Sequence, residues 1–281
     1  MSNIYKETFA LLDKFGLSAK KKFGQNFLID QNVLNNIVEK SEVQDEDLII
    51  EVGPGLGNLT KVIASTGKPV VAYEIDDDMI EVLKYSLRDF DNVNVIHEDI
   101  LNADLSIYKG KKVCVIANLP YYITTAILFK FLESDIDVSF FTLMMQREVA
   151  DRMCGKTNTK DYNALSVILQ YKGKVNMLFP VSKEVFTPKP NVDSAVIKLS
   201  LEEAKLNKED EIKFIKLVKN SFTQRRKTLV NNLSLAYPLS KLELAELLKE
   251  LGFNETVRAE SLSVDDFIKL STLVDNVLSS K

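Results

Sequence analysis

Four short stretches of this 281-residue chain carry groups suited to chemistry, and each follows a run of apolar and β-branched residues. Glu51-Val52-Gly53-Pro54-Gly55-Leu56-Gly57 follows Leu48-Ile49-Ile50, and Glu74 closes Val70-Val71-Ala72-Tyr73. His97-Glu98-Asp99 follows Val93-Asn94-Val95-Ile96, and Asn118-Leu119-Pro120-Tyr121 follows the run from Lys112 to Ala117. Glycines at 53, 55 and 57 let the main chain turn sharply and let a ligand approach it. A carboxylate at a second strand's end, Glu74, can accept both hydroxyls of a ribose, and Asp99 offers an acceptor for an adenine amino group. Asn118 and Tyr121 add an amide and an aromatic ring to a stiff corner, because Pro120 donates no hydrogen bond and holds Leu119 extended.

Taken singly these are ordinary features: a Gly-rich turn is a weak signal, and an acid after a strand is usually solvated. Together they fall at successive strand carboxyl ends, where open α/β sheets bind ligands. A dinucleotide site begun at Gly53 would have its third glycine at position 58, and that residue is Asn58. S-adenosylmethionine suits the set better than NAD, since no phosphate needs the missing glycine and the sulfonium is a cation.

The elements that must hold these groups alternate in period. Strands are expected at 48–52, 70–73, 93–96 and 113–117, with helical stretches such as Leu59 to Thr66 and Met79 to Phe90 between them. That alternation predicts a mostly parallel sheet with helices on both faces. Strands at 140–144, 175–179 and 195–199 follow, the last two without a clear crossover helix, so an antiparallel edge is expected there. After about Leu201 the spacing becomes helical: Ile212, Ile215, Val218 and Phe222, then Leu244, Leu247, Leu248 and Leu251 with Gly252 placed to end the helix. Ser263 and Asp266 form a capping-box pattern before the last apolar stripe. Two domains are expected, 1–202 and an all-helical 203–281.

Bulk properties exclude several classes. No run of 18 or more uncharged apolar residues is present, so no membrane span is expected, and the charged N-terminal stretch does not read as a secretory signal. Two cysteines, Cys114 and Cys154, without ligand spacing point to a reduced, cytoplasmic protein, and a single histidine, His97, leaves no case for a metal site. Net charge is −4, but it is unevenly spread. Glu74 to Asp104 holds ten acidic and two basic residues, whereas Lys205 to Lys227 holds eight basic and three acidic. A pocket suited to a cation and a surface suited to nucleic acid can therefore coexist.

The turn Gly53 to Gly57, Glu74 and the corner Asn118 to Tyr121 resemble class I adenine-N6 methyltransferases that act on ribosomal RNA. Phe23-Gly24-Gln25-Asn26-Phe27-Leu28, and the segment Phe186-Thr187-Pro188-Lys189-Pro190-Asn191-Val192-Asp193-Ser194, are similar to the dimethyladenosine transferases. Phe222-Thr223-Gln224-Arg225-Arg226-Lys227-Thr228-Leu229 resembles the KsgA (RsmA) branch, with Val230 departing where a basic residue is common. The resemblance spans residues 20 to 270. It implies a Rossmann-like class I methyltransferase domain followed by a small all-α domain, with S-adenosyl-L-methionine as cofactor.

By the resemblance the cofactor residues are Asn26, Leu28, Gly53, Glu74, Asp99 and Asn118, with Gly55 beside them in the turn. Residue chemistry alone reaches Gly53, Glu74, Asp99 and Asn118; Asn26 and Leu28 come from the resemblance, without which 23–28 reads as a helix lead-in. The implied reaction places Asn118, Leu119, Pro120, Tyr121 and Phe186 around a flipped adenine, with Tyr121 and Phe186 as stacking faces. Lys20, Lys21, Lys22, Arg225, Arg226 and Lys227 are expected to neutralise RNA phosphates. The implied substrate is 16S rRNA in the small ribosomal subunit or its precursor, dimethylated at two adjacent adenosines of the 3′-terminal hairpin by a monomeric enzyme. An Erm-type enzyme acting on 23S rRNA shares the cofactor set and the corner. A small-subunit assembly factor that merely keeps a cofactor pocket is a third reading, and a dehydrogenase the weakest.

Overall fold

The computed structural model describes residues 3–18, 25–119 and 123–281. The chain divides into two compact units, Met1–Ala150 with Asn176–Leu201, and Asp151–Val175 with Glu202–Lys281.

The first unit runs α1 (Asn3–Lys14), β1 (Phe27–Leu28), α2 (Gln31–Ser41), β2 (Leu48–Val52), α3 (Asn58–Ala64), β3 (Val70–Glu74) and α4 (Asp77–Ser86). It continues through β4 (Val93–His97), β5 (Lys112–Asn118), α5 (Thr124–Leu132) and β6 (Asp137–Gln146). Later pieces are most of β7 (Gly173–Val181), then β8 (Phe186–Thr187) and β9 (Ser194–Leu201). Every residue of β2 and β3 is buried, as expected of parallel strands covered on both faces. The seven-stranded sheet has the order β4-β3-β2-β5-β6-β9-β7. β2 pairs in parallel with β3 and β5, β3 with β4, and β5 with β6. β9 is antiparallel to β6, from Phe140↔Ser200 to Gln146↔Ser194. Strand order reverses at β2, with β3 and β4 on one side and β5 and β6 on the other. Loops leaving β2 and β5 therefore part, and a crevice opens at their carboxyl ends.

The chain crosses into the second unit within α6 (Arg147–Met153) and returns within β7. Its helices are α7 (Ala164–Lys172), α8 (Lys208–Ser221), α9 (Leu229–Ala236), α10 (Lys241–Glu250) and α11 (Val264–Ser279). This unit is larger than the segment from 203 onward, because α7 packs against both α8 and α11 and so brings 151–175 with it. Ser263 and Asp266 do form a capping box, and Gly252, at φ 82°, ends α10 in the left-handed conformation. The buried stripe of α8 is Phe214, Leu217, Val218 and Ser221; Ile212, which the spacing placed on that stripe, is 64% exposed.

Gly57 locks the start of α3 against α4. Its φ is +83°, and a Cβ there would lie 3.1–3.3 Å from Ser86 Oγ, Leu87 and Leu83. Gly57→Ala is therefore expected to destabilise the fold by at least about 1–2 kcal/mol, the ordinary cost of left-handed backbone with a Cβ. A urea-unfolding midpoint equal to that of the parent would show that this turn relaxes freely.

Candidate cofactor and active site

A cavity of about 430 Å³ sits at the carboxyl ends of β2, β3, β4 and β5. It brings together Asn26, Leu28, Gly53, Gly55, Glu74, Asp99, Asn118 and Leu119, residues far apart in the chain. A Cβ at Gly53 would meet no atom of the described residues within 4 Å, so bare backbone faces the cavity there. At Gly55, φ is +57° and a Cβ would touch the Phe27 ring at 3.4 Å.

Glu74 organises the turn. Its Oε2 accepts the Gly55 N–H at 3.1 Å, and its Oε1 accepts the N–H groups of Ile75 and Asp76, both at 2.9 Å. The side chain is 5% exposed, and burial raises its pKa even against those three amide donors. An ionised carboxylate has about four lone-pair sites, so three donors leave room for one ribose hydroxyl rather than two. Asp99 is less engaged: its Oδ1 accepts the Leu101 N–H at 2.9 Å. Ile75, which the sequence reading passed over, is 49% exposed beside Glu74 and lines the cavity with Ile100 and Leu101. An exposed isoleucine directly after a strand-end acid was the available signal, and its face suits a purine ring.

The segment from Gln25 to Leu28 forms a wall of this cavity. It is a short strand, not a helix lead-in: Phe27 pairs with Thr187 and Leu28 with Phe186. Gln25 Nε2 donates to Asp76 Oδ2 at 2.8 Å, tying the wall to the start of α4. Asn58 Nδ2 donates to the Leu28 carbonyl and to Thr8 Oγ1, both at 3.0 Å. The residue that stands where a dinucleotide site would need glycine thus braces the wall from below.

Charge decides which ligands suit the cavity. Glu51, Glu74, Glu98 and Asp99 line it, and no Lys, Arg or His among the described residues does. A pyrophosphate would be repelled, whereas a cationic sulfonium would be attracted. Glu51 is 1% exposed and its Oε2 has no hydrogen-bond partner among the described residues. Burial pushes its carboxyl up to about 8, with the Glu74 charge adding to the shift and Thr60 opposing it. An orphaned buried acid beside a glycine turn is what a cationic or N–H-bearing ligand would satisfy.

Asn118 is the last residue of β5 and pairs with Met144, while the next N–H, that of Leu119, donates to the Met144 carbonyl at 3.1 Å. The corner therefore leaves the sheet from a fixed point. Pro120 and Tyr121 lie outside the described residues, as do Lys20, Lys21 and Lys22. Phe186 departs from the expectation of a stacking face. It is 4% exposed, packs in the core with Ile4, Leu28 and Val181, and does not line the cavity. Its backbone pairs with Leu28, so it supports the wall.

The sequence model of the ribosomal RNA adenine dimethylase family matches residues 16–276. The chain belongs to this family. Ribosomal RNA small subunit methyltransferase A of Bacillus thuringiensis (strain Al Hakam) is 46% identical over 272 residues, 93% of each chain. The protein of that name from Bacillus mycoides (strain KBAB4) has the same identity and coverage. Among solved structures, a dimethyladenosine transferase from Plasmodium falciparum superposes with TM-score 0.73 at 26% identity, covering 87% of this chain and 95% of that one. The 23S rRNA methyltransferase ErmE gives 0.71 at 26%, covering 89% and 100%. The fold is accordingly the Rossmann-like methyltransferase fold with a helical C-terminal part, and family membership makes the protein a methyltransferase.

Two predictions follow from the acids that line this methyltransferase cavity. Glu74→Ala removes the acceptor for three amides and the lone pair left open towards the cavity, each charged hydrogen bond being worth about 1.5–3 kcal/mol. S-adenosylmethionine affinity should fall by at least one such bond, and a folded mutant with parental affinity in calorimetric titration would take Glu74 out of the site. Glu51 is neutral in the folded protein at pH 7 but ionised when unfolded, so its contribution to stability is complete below about pH 4.3 and lost as pH rises towards 8. Gln is neutral throughout. The melting temperature of Glu51→Gln relative to the parent should therefore rise from pH 5 to pH 8, and a difference independent of pH would mean that Glu51 does not titrate in this range.

Proposed function

We propose that this protein transfers methyl groups from S-adenosylmethionine to the N6 amino groups of two adjacent adenosines in the 3′-terminal hairpin of 16S rRNA. Binding to small subunits or their precursors would also give it a part in small-subunit biogenesis. The observation that carries the reading is the cavity itself: acids at the strand ends, without cations among the described residues, together with Asn118 and Leu119. The small-subunit choice is supported by curated relatives at 46% identity that bear that name, against 26% for the 23S enzyme ErmE.

Asn26, Leu28, Gly53, Glu74 and Asp99 would hold the cofactor, and Glu51 would face its positive end. When bound, S-adenosylmethionine supplies an electrophilic methyl carbon. The residues of the chain have to present the nucleophile. An adenine amino nitrogen is a poor one, because its lone pair is delocalised into the ring. The Asn118 side-chain oxygen and the Leu119 carbonyl each accept one N–H, which favours a pyramidal nitrogen and aims its lone pair. Attachment of both residues to β6 keeps these acceptors in place before the base arrives, so positioning and electrostatics lower the barrier. No general base is needed at the nitrogen, since its proton can leave for solvent after transfer. The monomethylated amine keeps one N–H, so the second transfer proceeds with one acceptor unmatched. Tyr121 is assigned the stacking face from its place in the corner.

Asn118→Ala should lower the methylation rate about 10²–10³-fold, the usual cost of one preorganised polar group. The measurement is single-turnover transfer to undermethylated small subunits at saturating S-adenosylmethionine, with RNA binding followed separately. A near-parental rate would sink the mechanism, and methylation of large subunits in preference to small ones would sink the substrate.

A further inference from the structure

In the second unit, two basic segments that are distant in sequence are clamped together. One is the loop 155–161, with Lys156 and Lys160; the other is the turn 222–228, with Arg225, Arg226 and Lys227. The Arg225 guanidinium donates to the Lys160 carbonyl. Tyr162, at the end of the loop, meets Phe222, at the start of the turn, edge-on at 6.1 Å between ring centroids.

Each segment is also anchored from beneath. The Tyr162 hydroxyl donates to the Leu262 carbonyl at 2.9 Å, and the Asn158 N–H donates to the Glu260 carbonyl at 2.8 Å. Ser261 Oγ donates to Asn158 Oδ1 at 3.0 Å, and Gln170 Nε2 donates to the Gly155 carbonyl at 2.6 Å. A Cβ at Gly155 would lie 2.6 Å from the Asp161 backbone, so the two ends of the loop close tightly on each other. Under the turn, buried Asn232 donates through Nδ2 to the Ser221 and Gln224 carbonyls at 2.7 and 3.2 Å.

The backbones are held, yet apart from the Arg225 hydrogen bond to Lys160 the cations are not used by the fold. Lys156, Lys160, Arg225, Arg226 and Lys227 are all exposed, and no carboxylate among the described residues pairs with any of them. Elsewhere in the same unit Lys172 pairs with Glu211, Lys205 with Asp265, Lys213 with Asp275 and Lys281 with Glu243. Five cations without carboxylate partners among the described residues, on two adjoining segments, repel one another. A polyanion with regularly spaced charge would relieve that repulsion, and preorganised backbones reduce the entropy lost on binding.

We propose that the loop 155–161 is an RNA-phosphate contact surface, with Lys156 and Lys160 as its cations and Arg225 as a positioning residue that holds the loop through the Lys160 carbonyl. This divides the Arg225-Arg226-Lys227 cluster by role. Arg226 and Lys227 meet phosphate directly, while Arg225 acts mainly through the loop. The inference rests on the rRNA reading above for its partner.

The test measures binding of the full-length protein to undermethylated small ribosomal subunits between about 50 and 200 mM salt, where each phosphate contact adds roughly 0.7–0.9 to the slope of log K against log salt. Lys156→Gln with Lys160→Gln should make the slope shallower by about one to two, leave S-adenosylmethionine affinity unchanged, and be rescued by arginine at both positions. A double Gln variant with the parental slope would overturn the surface. Arg225→Gln should speed amide hydrogen exchange across 156–161 and add little further change of slope once both lysines are Gln. An equal loss of slope in both backgrounds, with exchange unchanged, would make Arg225 a direct contact and overturn its positioning role. The parent is assayed for methyl transfer in parallel: a parent that binds but does not methylate overturns the activity and leaves the surface standing. Parental slopes on small subunits combined with weaker capture of an acidic protein would assign the surface to that other partner and overturn the RNA assignment.

Discussion

The Glu74 carboxylate accepts the Gly55 amide across the gap between two neighbouring strand ends, and the geometry of the cavity depends on that contact. Glycines at 53, 55 and 57 all have positive φ, which makes the turn easy to form but leaves it with little intrinsic preference for one path. A buried carboxylate with two further amides on its other oxygen removes that freedom. Because β3 carries Glu74 and α4 begins immediately after it, the same residue sets the height of the turn, the start of α4 and the acceptor left over for a ligand. Burial raises the pKa of Glu74, so the arrangement is held by geometry at some electrostatic cost.

That cost is repeated at Glu51, and the pair defines what the cavity is good for. A fold selected only for stability would replace a fully buried acid with an unpaired oxygen by an isosteric amide or an apolar side chain. Keeping two acids beside a glycine turn makes sense where a bound cation would draw Glu51 into its ionised form and be balanced by both. Charge contrast within one small cavity then separates a sulfonium cofactor from a dinucleotide more sharply than the glycine spacing does, since spacing alone tolerates variants.

Much of this architecture is legible in the sequence because parallel strands buried on both faces read as short apolar runs, and their carboxyl ends are where chemistry-bearing residues interrupt them. Leu48 to Val52, Val70 to Glu74 and Lys112 to Asn118 are of this kind, and so the site's strand-end residues could be placed before any coordinates. The wall at Gln25 to Leu28 could not be placed that way. A two-residue strand has no periodicity, and its partner at Phe186 lies over 150 residues away. Phe186 itself shows the limit from the other side: an aromatic ahead of a proline-rich turn has the same sequence signature whether its ring faces a ligand or the core, and the packing with Ile4, Leu28 and Val181 is visible only in three dimensions. The reach of the second unit back to Asp151 was hidden for a related reason, since α7 is joined to α8 by packing and not by adjacency in the chain.

The two units hold their functional groups by different means, and the difference follows from what each group must do. In the proposed reaction, orienting a single amino nitrogen calls for acceptors fixed to fractions of an ångström, and the first unit would supply this by ending a paired strand at Asn118, tied by backbone pairing to β6. Meeting phosphates requires charge at approximate spacing, with long side chains that can adjust. Loops suit that task, provided their backbones do not collapse onto nearby acids. The anchors under 155–161 and 222–228 suit this end: the buried Tyr162 hydroxyl and Asn232 Nδ2 donate to main-chain carbonyls and hold the backbone, while the side chains of Lys156, Lys160, Arg226 and Lys227 stay exposed. On the proposed reading, an anchored backbone beneath exposed cations would meet a phosphate chain without selecting a base sequence and would leave sequence choice to the corner that begins at Asn118.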